Sequence, residues 1–503
     1  MRLVWHMFRK DAARLRWIWL ASLAPLALFT WFDCGKGFAL PRNMNYDLSQ
    51  MTQMLLPMAW WFLAAAIVQS EAIPGDRQYW LTRPIPRGAL LASKLAVAGA
   101  AASLPLFVAW CVIVAVNGHS LGEYVGALMA DQVRVFLAIM LPAMALAAVT
   151  ETMARFIAAT FLVVLVEFMQ TVLTGVLRPW SLESLERITV PAAFTTCAIA
   201  AVSILLLQYR HRATNWARAV LVAAALAVPA WRLLPVNAAF AAQAGGSNGE
   251  GAGRLRIVLD SARGATASPG GARSYGGSVR MAIPVRIEGA GADPEVRFEW
   301  TGREIEAGGA VDRTDLPYGA DIVDRRDGAR LWLSAPRAFV DRAGDAPARV
   351  RLWGAATVMG QVSRSLQPGL FSYRLVDGIG FCSSETDAAE FVVNIYCNAP
   401  VRGPEWTSVR MVDRTTNEPL TSEIRLPRRG QHSPQGSRWR VSPLDRTQAS
   451  YILDRKDGIE RDRLANASLE FTNWTRQSFG RVEIELSGIR LKDWLVGDAL
   501  AVP

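Results

Sequence analysis

The residues of this chain that could do chemistry are few, and they do not gather. Its four histidines, His6, His119, His211 and His432, are scattered and form no H-E-x-x-H, the spacing that lets a helix present two zinc ligands. No G-x-x-x-x-G-K-[ST] is present to cradle a nucleotide phosphate. Gly35-Lys36-Gly37 lacks both the upstream glycine and the trailing hydroxyl. A G-x-S-x-G nucleophile elbow is also absent. Cys382 and Cys397 are too far apart for C-x-x-C redox chemistry, but an oxidising compartment would let them pair as a disulfide. The residues therefore assign no catalytic group, no metal site and no cofactor to the chain itself. Two features remain. Glu167 stands in the apolar run Val163–Gln170, where a carboxylate is costly; it is either a translocation-pathway or gating residue, or a packing residue hydrogen-bonded to a neighbour such as Gln170. The other is the polar, basic segment from Glu71 to Lys94, which carries Asp76, Arg77, Arg83 and Arg87 and is stiffened by Pro84 and Pro86.

The elements that must position these residues divide the chain in two. It has 503 residues and 51% hydrophobic composition, an average over unlike halves. Up to about Pro235 the chain is a series of apolar runs, and a run of roughly 20 such residues spans a bilayer. Seven spans are read: Ile18–Phe32, Thr52–Gln69, Leu95–Val116, Val135–Val149, Phe156–Val176, Val190–Gln208 and Ala217–Leu234. The net charge of +10 is explained by Arg and Lys at span ends, where they set topology and meet anionic lipid. No nucleic-acid-binding signature accompanies it, so nucleic acid is not an expected partner.

Basic residues crowd the N-terminus, the 70–94 segment, Arg155 and the Arg210–Arg218 stretch, and thin out in the alternate loops. By the positive-inside rule the N-terminus is cytoplasmic, and seven spans leave the C-terminal half extracytoplasmic, in a multi-pass protein of the plasma (inner) membrane. Trp17, Trp31, Trp60, Trp61, Trp180 and Trp231 fall near span ends, as interfacial anchors do. Residues 1–16 form a basic amphipathic helix, with Val4, Trp5, Phe8, Ala12 and Leu15 on one face, expected in the headgroup plane before the membrane domain of 17–235.

Residues 236–253 read as a flexible linker, Ala-rich and then Gly-rich. Beyond it, residues 254–503 hold short β-branched and aromatic runs separated by turn formers, the pattern of a β-sandwich region with two subdomains meeting near Asp377–Thr386. The fold class is thus an α-helical polytopic membrane domain followed by an all-β extracytoplasmic domain. Alternation such as Arg254-Leu-Arg256-Ile fits a half-solvated sheet better than a basic docking surface.

The amphipathic basic N-terminus, six spans ending at Gln208 and the Leu81-Thr82-Arg83-Pro84 loop with Arg87 and Lys94 together resemble the integral-membrane permease subunit of type-2 ABC exporters, over roughly Met1–Arg212. The resemblance implies an ATPase-coupling loop at 70–94, with Glu71, Asp76, Arg77, Arg83 and Arg87 at the contact. It further implies ATP used through a partner ATP-binding subunit, and two permease copies, as a homodimer or heterodimer, forming the pathway. A seventh span and the large exterior region depart from that pattern. They keep open a second reading, a membrane-anchored exterior sensor or scaffold without transport.

Overall fold

The computed structural model describes residues 2–34, 42–70, 86–177, 183–246, 255–260, 262, 277–289, 295–314, 329–370, 374–376, 379–387, 392–400, 406–420, 424–426, 441–452 and 466–495. Backbone groups in a long apolar run must bond within the run, and helices result. In chain order they are α1 (Arg2–Cys34), α2 (Arg42–Gln69), α3 (Arg87–Ala98), α4 (Leu104–Val116), α5 (Leu121–Val135), α6 (Leu141–Val149), α7 (Met153–Leu177), α8 (Glu183–Leu206), α9 (Thr214–Arg232) and α10 (Val236–Gly246). Among the described residues, six helical stretches are long and apolar enough to cross a membrane: Arg2–Cys34, Met51–Gln69, Arg87–Val116, Leu121–Val149, Met153–Gln170 and Leu185–His211.

Several expectations change here. The N-terminal stretch is not a separate element: α1 is one helix of 33 residues. Its inward face carries Met7, Asp11 and Leu15, while Trp5 points outward and is 61% exposed. The fourth apolar helical stretch is longer than Val135–Val149 and begins at Leu121, because Asp131 and Gln132, polar enough to suggest a loop, are buried in the bundle. The stretch expected to be a seventh span forms α9, antiparallel to α8 with the Trp231 indole donating to Thr196 Oγ1 at 3.0 Å, but α9 is not among the six. Trp60 is a core residue rather than an anchor, only 2% exposed. Residues 236–246 of the expected linker are helix α10, which packs on α8.

Two helices are interrupted by π-type turns, Gly99–Ser103 between α3 and α4 and Phe136–Met140 between α5 and α6. Each precedes a proline, Pro105 or Pro142, that cannot donate to the turn behind it. The carbonyl of Ala101, which the missing N–H of Pro105 would meet in a regular α-helix, accepts from the Trp19 indole at 3.0 Å. In the amide orientation that satisfies both groups, Gln132 donates to Ser103 O at 3.2 Å and accepts from the Phe107 N–H at 3.1 Å. Those two groups bond each other in an unbroken helix. A polar side chain from α5 thus closes a break in its neighbour.

The second half is built from β1 (Arg256–Leu259), β2 (Ser278–Glu288), β3 (Glu295–Ala307), β4 (Ala310–Thr314), β5 (Arg330–Pro336), a short helix α11 (Arg337–Ala343), β6 (Pro347–Pro368), β7 (Arg374–Val376), β8 (Gly380–Asp387), β9 (Val392–Pro400), β10 (Trp406–Asp413), β11 (Ile424–Leu426), β12 (Leu444–Ile452) and β13 (Ala467–Arg490). They form sheets ordered β1-β2-β5, β11-β10-β13-β6-β3-β4 and β12-β9-β8-β7. β6 and β13, of 22 and 24 residues, pair antiparallel along their whole length with bulges near Trp474, Ser478 and Ile489. One stretch of this ribbon supplies Val350, Leu352, Val482 and Ile484 to a core shared with Met281, Ile283 and Leu331 of the three-stranded sheet. The other end supplies Leu469 and Phe471 to a core shared with Ile395 and the Cys382–Cys397 disulfide. Among the described residues, the passage between these two larger cores lies inside two continuous strands and not in a loop near Asp377–Thr386.

Candidate functional site

The segment singled out from the sequence is described only at its two ends, up to Ser70 and from Pro86 onward. Glu71, Asp76, Arg77, Arg83 and Pro84 lie outside the described residues. Its two stems are described, and they are fastened to α1. Lys94 in the second turn of α3 has no exposed surface, and its ammonium donates to Asp11 Oδ2 and to Ser70 Oγ, each at 2.8 Å. The Ser70 hydroxyl in turn donates to Ile67 O at 2.9 Å, and the Ser70 carbonyl accepts from Arg14 at 3.1 Å. Lys94 is therefore placed inside the protein, not on the partner-facing surface where a coupling loop would use it.

The burial decides the energetics. An exposed ion pair is worth little. This one is enclosed, with Asp11 only 1% exposed, so removing Lys94 takes a buried cation 2.8 Å away from the Asp11 carboxylate. The hydroxyl of Ser70 supplies the ammonium with a second acceptor, as enclosure of a multi-donor cation requires.

Around this node the same end of the bundle is basic. Arg87, exposed at the first turn of α3, donates to Arg210 O at 2.8 Å. Arg212 follows in a left-handed conformation, φ 53°, and ends the π-type turn Leu207–His211. Desolvation, and then the neighbouring Arg87 charge, hold its guanidinium below the ordinary value while leaving it charged at any physiological pH. Gln69 donates to Thr150 Oγ1 at 3.2 Å, and Glu151 pairs with Arg155 one turn on and with Arg218 at 3.8 Å. The ends of α1, α2, α3, α6, α8 and α9 are thereby tied together around the stems of the loop.

A second polar joint lies at the opposite end. Asp33, near the last turn of α1, accepts from Ser442 Oγ at 2.6 Å, and the Trp110 indole donates to Val441 O at 2.7 Å. Val441 and Leu444, from the β half, are buried in the helical core. Gly118, φ 78°, lies under the Phe381 ring, which a Cβ there would approach to 2.2 Å. The β half is thus seated on the ends of α1 and α4.

Glu167 is half-buried on α7, whose apolar window is 6% buried against 67% for Leu121–Val149. Most of α7 faces away from the bundle. Cys382 and Cys397 face each other across β8 and β9, with Cα atoms 4.1 Å apart, and are bonded. Sequence reasoning did not reach Asp11, Ser70, Asp33 or Ser442. Asp11 had one usable signal, being the lone acid among the first 16 residues. No protein-family model, curated protein or solved structure matches the chain.

Proposed function

We propose that the chain is the membrane subunit of an ATP-driven export system of the ABC type, working as a pair of permease copies with a separate ATP-binding subunit. In this reading the basic end is cytoplasmic, α9 completes a seventh crossing, and the β half is extracytoplasmic. The ATPase engages the 70–94 segment and the nearby Arg87, Arg210 and Arg212, whose guanidiniums suit carboxylates on a partner. The observation that carries the reading is the buried Lys94–Asp11–Ser70 node. It couples both stems of the loop to α1, so a pull on the loop moves a helix rather than a loose end. About 33 Å of helix separate Asp11 from Asp33 at 1.5 Å per residue. The far end of the same helix meets Ser442 of the β half, and movement at the loop would reach the exterior domain through α1.

The seating of Val441 and Leu444 in the helical core also favours the second reading, a sensor or scaffold that reports exterior binding inward. A detergent pull-down of the tagged chain separates the two. The permease reading expects a co-purifying P-loop ATPase that is lost on Arg83→Glu or Arg87→Glu. Recovery of the chain without an ATPase would sink it and leave the scaffold.

A further inference from the structure

We propose that the open edge of β6 at Gln361–Pro368 takes an extended segment of a partner protein as an added strand, one with an acidic residue at its centre and apolar residues two positions to either side. β13 lies beside β6 along its whole length, but on the other side β3 follows β6 only as far as Met359. Among the described residues no strand lies beyond that point. From Gln361 onward, alternate residues of β6 therefore direct N–H and C=O groups away from β13 with no strand to meet them. The stretch between the bulge at Val362 and Pro368 has the length of an ordinary strand.

The side chains along this edge name the occupant. Val362, Arg364 and Leu366 alternate onto one face, and the two apolar residues are 61% and 51% exposed. Arg364, exposed between them, donates to Glu470 of β13, and Arg410 of β10 donates to the same carboxylate through Nε at 2.7 Å. Glu470 is buried, so two cations share one carboxylate, and neither pairs with a second among the described residues. A positive charge in excess thus lies at the edge between two apolar side chains. A strand laid along β6 sets an acid opposite Arg364 and apolar residues opposite Val362 and Leu366. Lipid tails are unsuited to this edge, because hydrocarbon offers nothing to unpaired backbone groups. A second copy suits it poorly, since antiparallel pairing of Val362 with Leu366 would set Arg364 against Arg364. The inference rests on the β half and is independent of whether the chain moves a substrate.

Fluorescence anisotropy of the labelled peptide Thr-Val-Thr-Glu-Thr-Val-Thr, titrated with the full chain in a neutral detergent, tests it. The expected result is saturable binding. A peptide with the same side chains but N-methylated along both edges cannot join a sheet and should bind about tenfold more weakly or not at all. Exchanging the peptide's Glu for Lys, or Arg364→Gln in the protein, should each weaken binding about fivefold. The peptide comparisons use the wild-type chain and carry the decision if the variant fails to fold. Absence of saturable binding, equal binding of the N-methylated peptide, or equal binding of the Glu and Lys peptides would overturn the proposal. A dimer of the chain that the peptide dissociates would overturn the partner and assign the edge to a second copy.

Discussion

Lys94 is a four-carbon ammonium with no exposed surface, and Asp11 and Ser70 both accept from it. Replacing it with Met leaves the Asp11 carboxylate enclosed without its cation. The expected loss is about 3–5 kcal/mol, read as a lower melting temperature in detergent. Lys94→Met combined with Asp11→Leu should recover most of that loss, because an apolar pair can replace a buried ion pair at little cost. A single variant that melts like wild type would show that the pair is not structural. The sequence places Lys94 at the basic end of the polar segment from Glu71 and carries no signal that it needs a buried partner. It could not identify one, since the two residues are 83 positions apart and the choice was made by packing. The loop arginines raise the same difficulty in reverse: their types are legible, but what Arg87 meets, the carbonyl of Arg210, depends on where another helix ends.

Among the elements, the helices show why span boundaries are hard to read. Periodicity and length found the apolar centres, yet Asp131, Gln132 and Arg134 disguised half of the fourth stretch as a loop. Gln132 is there because the helix opposite is broken ahead of Pro105 and needs both a donor and an acceptor. Gln132→Leu should therefore destabilise the bundle by about 1–3 kcal/mol, the cost of leaving buried polar groups unmatched. Gln132→Glu, which keeps the acceptor, should fall between the two in thermal melting. A Leu variant as stable as wild type would mean that the broken helix closes without help. In the β half the strands were largely visible from alternation, but Ser468–Trp474 and Gly480–Leu486 read as two strands. The bulges that let one strand pass the junction look like turn signals in the sequence.

At the scale of the whole molecule, α1 carries a polar joint at each end, Asp11 to Lys94 and Asp33 to Ser442. The far joint has reporters built in. Cys34 and Cys111 neighbour Asp33 and Trp110 and are partly buried against the helical core, while Cys197 lies on α8. Ser442→Ala, which removes the hydroxyl that donates to Asp33 and accepts from the Leu444 N–H, or Trp110→Phe, which removes the indole donor to Val441 O, should raise maleimide labelling of Cys34 and Cys111 about fivefold and leave Cys197 unchanged. Uniform labelling of all three would indicate general loosening and count against a local joint. The division into a helical half and a sheet half was plain from composition. The joint was not, because it is made by ordinary residues, a serine and a valine carbonyl, brought to a helix end by the fold. The ribbon of β6 and β13 has a consequence for how the chain is made. β13 is the last of the described strands, and it is the partner that β6 lacks along its full length and the link between β6 and β10. The other described strands of the β half all emerge from synthesis before the strand that contributes to both larger cores. A nascent chain stopped short of Ala467 would present one unfinished sheet and two open cores to proteases, so arrival of the final strand certifies the whole product.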